Sequence, residues 1–428
     1  MFVGFCVSAA DWPTYMGDDA RSGVSTEQLK LPLKQSWTHQ PLHAPRPAWR
    51  GPAKRDLYNK VGLLKNRQVF DHAFHVIADA KHVYFGSSAD DQVHCLDLNS
   101  GEERWSFFAE GPVRFAPTLH DGRLFVGSDD GHAYCLSTDG KYIWKKLLAP
   151  RDYRIAGNNR IISAWPLRTG ILVRDGIAYA GAGMFPKEGV HIMAFDADKG
   201  TERWRTVQTS WPFQGYLLLS ESYVYVPTGR SYPIVYNLNN GKFFKNLSDL
   251  SDRFTLIPHE NKLVGMPNPR QKGKILGLIA DTNKDSYATF TGNHMIVHGG
   301  KSYLQVSKGL HVLDRIRYLK LESDHKKLSE EKKNRKQDNV LIEAIRKIEA
   351  DIRKCLLWRT SCNQQYALIL AGDTLFAGGE NEVVAYSASD GKKTWSAQVN
   401  GAAMGIAVAH GRLLVSTDKG TIHCFGAK

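Results

Sequence analysis

The side chains with most chemistry to offer are arginines and indoles in Gly- and Pro-punctuated stretches: Arg114, Arg154, Arg160 and Arg230, with Trp165, Trp211 and Gln214 in the same or neighbouring stretches. A guanidinium is a planar fork of donors suited to anions, and an indole offers a stacking face. Together they read as ligand-binding candidates rather than as bond-breaking machinery, although loop arginines commonly end in solvent or on backbone carbonyls. His72 and His75 form an H-x2-H pair with Asp71 alongside. A metal would need a third or fourth ligand that the sequence does not nominate, so no metal site is expected. The pair reads first as loop-fixing hydrogen bonds, with His75 kept as a ligand-binding candidate. Gly181-Ala182-Gly183 is followed by no helical pattern and is no phosphate loop. No nucleophile elbow or ordered Ser/His/Asp set is recognisable, so no catalytic residue is assigned.

Charge is informative once located. The net +13 of the 428 residues lies in two segments: residues 30–67 carry nine Lys/Arg against one acid, and residues 314–359 carry fourteen against nine. Such surfaces suit an anionic partner, a glycan or lipid headgroup more than a specific nucleic acid, and their ordinary alternative is a solvated face. Residues 1–10 are apolar and place Ser8 and Ala10 like the small residues before a signal-peptidase cut, which reads as a signal-peptide remnant and a periplasmic or secreted protein. The stretch is too short to span a bilayer, and no other segment has the length and apolarity of a transmembrane helix. Six cysteines make no disulfide framework at this length. Cys95, Cys135 and Cys424 hold matching repeat positions and read as small buried hydrophobes; Cys355 and Cys362 are near enough in sequence that pairing stays open.

These candidates must be positioned by a repeat, and the repeat is the strongest signal in the chain. Val83-Tyr84-Phe85-Gly86 leads to Cys95, Gly101 and Trp105. Leu124-Phe125-Val126-Gly127 leads to Cys135, Gly140 and Trp144. Ala178-Tyr179-Ala180-Gly181 leads to Ala194, Gly200 and Trp204, and Leu375-Phe376-Ala377-Gly378 to Ala385, Gly391 and Trp395. Each copy predicts four short strands, with two-residue turns such as Asp121-Gly122 and His410-Gly411. The Trp offers more flat surface than one isolated sheet can bury, so it must pack on the neighbouring copy.

The A-x5-G-x3-W spacing resembles the tryptophan-docking repeats of the quinoprotein-type (PQQ-like) propellers. Eroded copies at 224–244, 262–283 and 303–314, and an incomplete last copy at 413–425, fill the remaining length. Lys34-Gln35-Ser36-Trp37 is a lone strand of the type the last copy lacks. The expectation is therefore all-β: an eight-bladed β-propeller over residues 11–428, with seven as the alternative count, closed by the Trp37 strand. Two segments depart from the repeat. Residues 41–75 form a Pro-, Trp- and Arg-rich loop long enough to cover one face. Residues 315–358 carry apolar positions at three- and four-residue steps and read as a helical, coiled-coil-like hairpin projecting from the sixth blade.

The resemblance implies two kinds of activity. One is a non-catalytic scaffold, as in the lipoprotein that supports outer-membrane protein assembly. The other is a dehydrogenase that pairs a calcium-bound pyrroloquinoline quinone (PQQ) with an Asp base, often over a vicinal Cys-Cys pair. No Cys-Cys occurs here, and no clear lipobox surrounds Cys6. The preferred reading is a monomeric binding or scaffold propeller of the bacterial envelope. It would recognise a protein or an anionic glycan without a cofactor, with PQQ and calcium only under the dehydrogenase alternative.

Overall fold

Strands alternate with tight turns throughout the computed structural model, which describes residues 10–49, 69–157, 159–229, 232–248, 250–257, 262–267, 274–279, 286–335 and 337–427. The architecture is all-β and propeller-like. Its basic unit is a four-stranded antiparallel meander in sequence order. The first unit runs Val76–Ala78, His82–Gly86, Gln92–Asp97, Glu103–Phe108, and five more follow to Leu356–Ser361. Apart from a two-stranded hairpin, Arg154–Gly157 with Arg160–Ser163, the remaining strands form one eight-stranded sheet, because Lys393–Ala409 runs on continuously and pairs first with Glu380–Ser387 and then with Arg412–Thr417. Lys34–His39 lies at one end of that sheet, antiparallel to Ile422–Gly426. At the other end, Val24–Ser25 adds in parallel to Ala367–Ala371, a pairing with no sequence signal.

The hairpin chemistry explains the register. Asp121-Gly122, Asp175-Gly176 and His410-Gly411 each place two successive residues at positive φ. That is the type I′ geometry whose twist matches the strands on either side. Further along each unit a bulge recurs. Pairing slips between Cys95 and Leu96, between Ala194 and Phe195, and between Ala385 and Tyr386, immediately beside Trp105, Trp204 and Trp395. A bulge bends the strand and re-aims a side chain. Here it turns each indole out of its own sheet.

The indoles then bind the sheets in series. Trp37 covers Gly101 and donates to Leu98 O at 2.9 Å; Trp105 covers Gly140 and donates to Thr138 O at 3.0 Å. Trp144 does the same at Gly200 and Ala197 O, Trp204 at Gly241 and Leu238 O, and Trp358 at Gly391 and Ala388 O. Each glycine belongs to the sheet after the one that carries the Trp. Trp395 closes the series by donating to Leu33 O at 2.9 Å. Phe243 and Phe244 break it. They remain substantially exposed, and Phe244 stacks on Tyr223 of its own sheet at 4.6 Å.

Cys95, Cys135 and Cys424 pair across the ladder with Trp105, Trp144 and Trp37 and are fully buried thiols. Cys355 and Cys362 are also free and buried. They stand at opposite ends of the six-residue strand Leu356–Ser361, about 20 Å apart at the usual strand rise, too far for a disulfide.

Two helices interrupt the sixth unit: α1 (Arg315–Asn334) and α2 (Asn339–Arg353), N-capped by Asp314 and Asp338. The hairpin ends earlier than the spacing predicts, since Trp358 already lies in a strand. Its apolar seam is one-sided: α2 buries Leu341 and Ile345, whereas α1 buries only Arg315. At its base, Tyr318 and Leu319 of α1 pack on the core around Phe290 and Ile257. Neither helix is long and apolar enough to cross a membrane.

The Trp contact can be tested by comparing two glycines that share a backbone conformation. Gly122 and Gly140 both sit at positive φ, but a Cβ at Gly122 meets nothing within 4 Å, whereas one at Gly140 would lie 2.6 Å from the Trp105 ring. Gly122→Ala should cost about 1–2 kcal/mol from backbone strain alone. Gly140→Ala should cost about 1–3 kcal/mol more because the indole must move. Urea denaturation midpoints read the difference, and equal shifts would show that the docked indole contributes no stability.

Candidate functional site

The inner strands and the loops that enter them surround a cavity of about 210 Å³. Val76, Tyr216, Ile275, Met295, Ile369 and Met404 contribute to its wall from six different parts of the chain. The N-terminal segment enters as well. Trp12 bridges to Ala78, and Tyr15 stacks on Tyr216 at 3.8 Å with an interplanar angle of 7°. Arg21 lies over the Tyr216 ring at 5.3 Å, its Nε donating to Leu217 O and one terminal nitrogen to Thr14 Oγ1 and Tyr15 O. Burial lowers its pKa to about 10, so it remains a cation. Arg21 also has a positive φ of 59°, a strained conformation for a non-glycine residue held in place by these bonds.

His75 is the one sequence candidate that lines this cavity. Its ring meets Tyr15 edge-on at 4.9 Å, and burial, with a smaller contribution from His72, lowers its pKa to about 4. The expected loop-fixing hydrogen bond is not made at His75: the imidazole bonds to no described residue, and its neighbours include the Tyr15 and Tyr216 rings, met edge-on.

The other candidates lie behind or outside the cavity. Arg114 is buried between two carboxylates, Asp129 at 2.6 Å and Asp71 at 2.8 Å, and also donates to Arg46 O. Asp129 takes a second guanidinium from Arg168, which the sequence reading did not single out. Burial alone would raise the Asp129 carboxyl, but Arg114 and Arg168 outweigh it and hold the group below the usual carboxylate range. Arg160 grips both oxygens of Asp91 and the carbonyls of Ser88 and Ala89. Arg154 pairs with Glu110 and Asp152 nearer the surface. Trp165 is buried with its Nε1 on Gly189 O, so it offers no open stacking face. Trp211 stands half-buried beside Tyr232, and buried Gln214 accepts from Trp49 Nε1. Arg230 lies outside the described residues. The arginines are thus internal ties rather than empty anion forks.

Of the long 41–75 segment, the described flanks are tied down by hydrogen bonds. Arg46 N bonds Ser88, Ala48 N bonds Asp71, and Trp49 reaches Gln214.

Comparison with known proteins fits this geometry. The family model described as outer membrane protein assembly factor BamB matches residues 37–173 and 355–428. The chain belongs to the PQQ-like repeat propeller family. No curated protein matches this propeller at the sequence level. Among solved structures it resembles the quinohemoprotein alcohol dehydrogenase from Comamonas testosteroni, with a TM-score of 0.62 at 13% identity over 97% of this chain and 80% of that one. It also resembles a europium-containing methanol dehydrogenase (0.60, 10% identity, 97% and 98% covered) and the computationally designed Ika8 protein (0.58, 11% identity, 85% and 98% covered). At these identities the likeness is one of fold.

The cofactor associated with the fold can be tested against the residues present. A tricarboxylate quinone held with calcium needs cationic donors for its carboxylates and several oxygen ligands for the ion. Among the described residues the cavity wall contains no Asp or Glu, and its one permanent charge is Arg21, whose Nε and one terminal nitrogen already serve Leu217, Thr14 and Tyr15. No group of three or more His, Cys, Asp or Glu among the described residues is placed to hold a metal. The wall does not fit the group.

Burial of neutral His75 has a pH consequence. Its folded pKa lies below the unfolded value of 6.5, so its contribution is fully present above pH 6.5 and is lost as pH falls toward about 4. Relative to the native chain, His75→Phe should remove a loss of stability on the order of 3 kcal/mol across that window. Denaturation at pH 7 and pH 4.5 measures it; parallel curves for the two proteins would contradict the assignment.

Proposed function

We propose that this propeller is a non-catalytic binding scaffold of the bacterial envelope, periplasmic or secreted, and that it recognises an anionic partner, in the first instance a protein. Residues 11–428 form a single eight-bladed ring in this reading. The merged eight-stranded sheet supplies two blades, the 41–75 loop covers one face, and residues 1–10 belong to an export leader. A family described by an outer membrane assembly factor supports the class of activity. The observation that carries the reading is the helical arm. Lys320, Lys326, Lys333, Lys347 and Arg353 are exposed on α1 and α2 without an ion-pair partner among the described residues, while the arginines described at the propeller mouth are neutralised from within. Free cations on an anchored arm supply attraction and orientation toward an acidic surface.

The dehydrogenase alternative has a fold likeness in its favour but no donor set in the cavity wall. The two readings separate experimentally. The strands either side of the arm are direct neighbours, with Leu313 opposite Leu356, so a short turn can replace the helices without disturbing the sheet. That variant should melt as the native protein does yet lose at least about nine-tenths of the partner recovered from an envelope fraction, with binding weakened by added salt. Unchanged recovery would remove the arm from the function. Uptake of PQQ with calcium, read by the quinone absorbance band, would restore the dehydrogenase reading.

A further inference from the structure

The cavity has a chemical character of its own, independent of whatever the outer surface binds. Its polar groups are nearly all committed. The Tyr216 hydroxyl accepts from Ala116 N at 2.9 Å, the Tyr366 hydroxyl donates to Glu380, and the Asn293 amide donates to Gln365. His75 differs: it is 8% exposed, lines the cavity, and its imidazole has no hydrogen-bond partner among the described residues. A neutral imidazole carries one donor and one acceptor, and leaving both unused in a buried site is costly.

From these residues we infer that the central cavity is a binding site for a small, uncharged aromatic molecule of one or two rings bearing a single hydroxyl or N–H group that bonds His75. Charge excludes the other classes. An anion would meet, among the described wall residues, one cation, whose Nε and one terminal nitrogen already donate to Leu217, Thr14 and Tyr15, and a cation would find no carboxylate there and would face Arg21 seated over Tyr216 and Tyr15. Size sets the rest: an apolar cavity of about 150 Å³ takes benzene, so about 210 Å³ accommodates a larger ring system. The flat Tyr15/Tyr216 stack and the edge-on His75 offer aromatic contacts in both orientations.

The probe is 2-naphthol, followed by its own fluorescence, with naphthalene, 2-naphthoate and 2-naphthylmethylamine as comparators. In the native protein 2-naphthol should bind saturably, about five-fold or more tighter than naphthalene and about ten-fold or more tighter than either charged analogue. In His75→Phe the preference for naphthol over naphthalene should collapse to within about two-fold while naphthalene affinity is retained. Absence of saturable naphthol binding overturns the site. Equal binding of naphthol and naphthalene by the native protein overturns the role of His75 without recourse to a variant. Tighter binding of a charged analogue overturns the ligand class.

Discussion

One contact recurs between five pairs of successive sheets: an indole lies on a glycine of the next sheet and hydrogen-bonds a carbonyl beside it. The flat surface supplies apolar burial, the single N–H supplies direction, and the missing Cβ supplies the space. None of the three suffices alone. The contact acts between sheets that share no backbone ladder, so it sets the angle of each sheet to its neighbour and through them the shape of the space at the centre. Where Phe243 and Phe244 replace the indole, the ring retains apolar surface but loses the directional bond, and those phenyl rings stay largely open to solvent.

Much of this fold was legible from the chain because the determinants are local. Turn pairs such as His410-Gly411, the Gly-to-Trp spacing and the lone Trp37 strand all lie within short windows. What was not legible depends on partners distant in sequence. Nothing near Val24 announces a parallel pairing with Leu370, and nothing in the helical spacing shows that α1 has almost no buried face. The Cys355/Cys362 question was settled by a strand lying between the two residues, which sequence proximity concealed.

The same distinction governs the site. Residue type marks Arg114, Arg154 and Arg160 as cations in search of anions, and the anions they meet in the structure are the protein's own carboxylates, from residues such as Asp129 and Asp91. Pairing of that sort replaces a surface field with internal rigidity, and it leaves the central space uncharged apart from Arg21. The residues that shape that space most, Tyr15, Arg21 and Tyr216, carried no motif; they come from an N-terminal stretch and an inter-sheet loop that only the closed ring brings together. The loop-fixing hydrogen bond expected of His75 is not made to any described residue; its ring instead meets Tyr15 and Tyr216 edge-on.

The clasp between Lys34–His39 and Ile422–Gly426 has a further meaning for biogenesis. Lys34–His39 can find its neighbour only after nearly four hundred further residues, through Ile422–Gly426, have been made, so the ring stays open until then. Until then the nascent protein presents an open sheet edge along Lys34–His39, adhesive in a crowded compartment. A chain built this way depends on being escorted, or on keeping its early strand solvated, until Ile422–Gly426 is available.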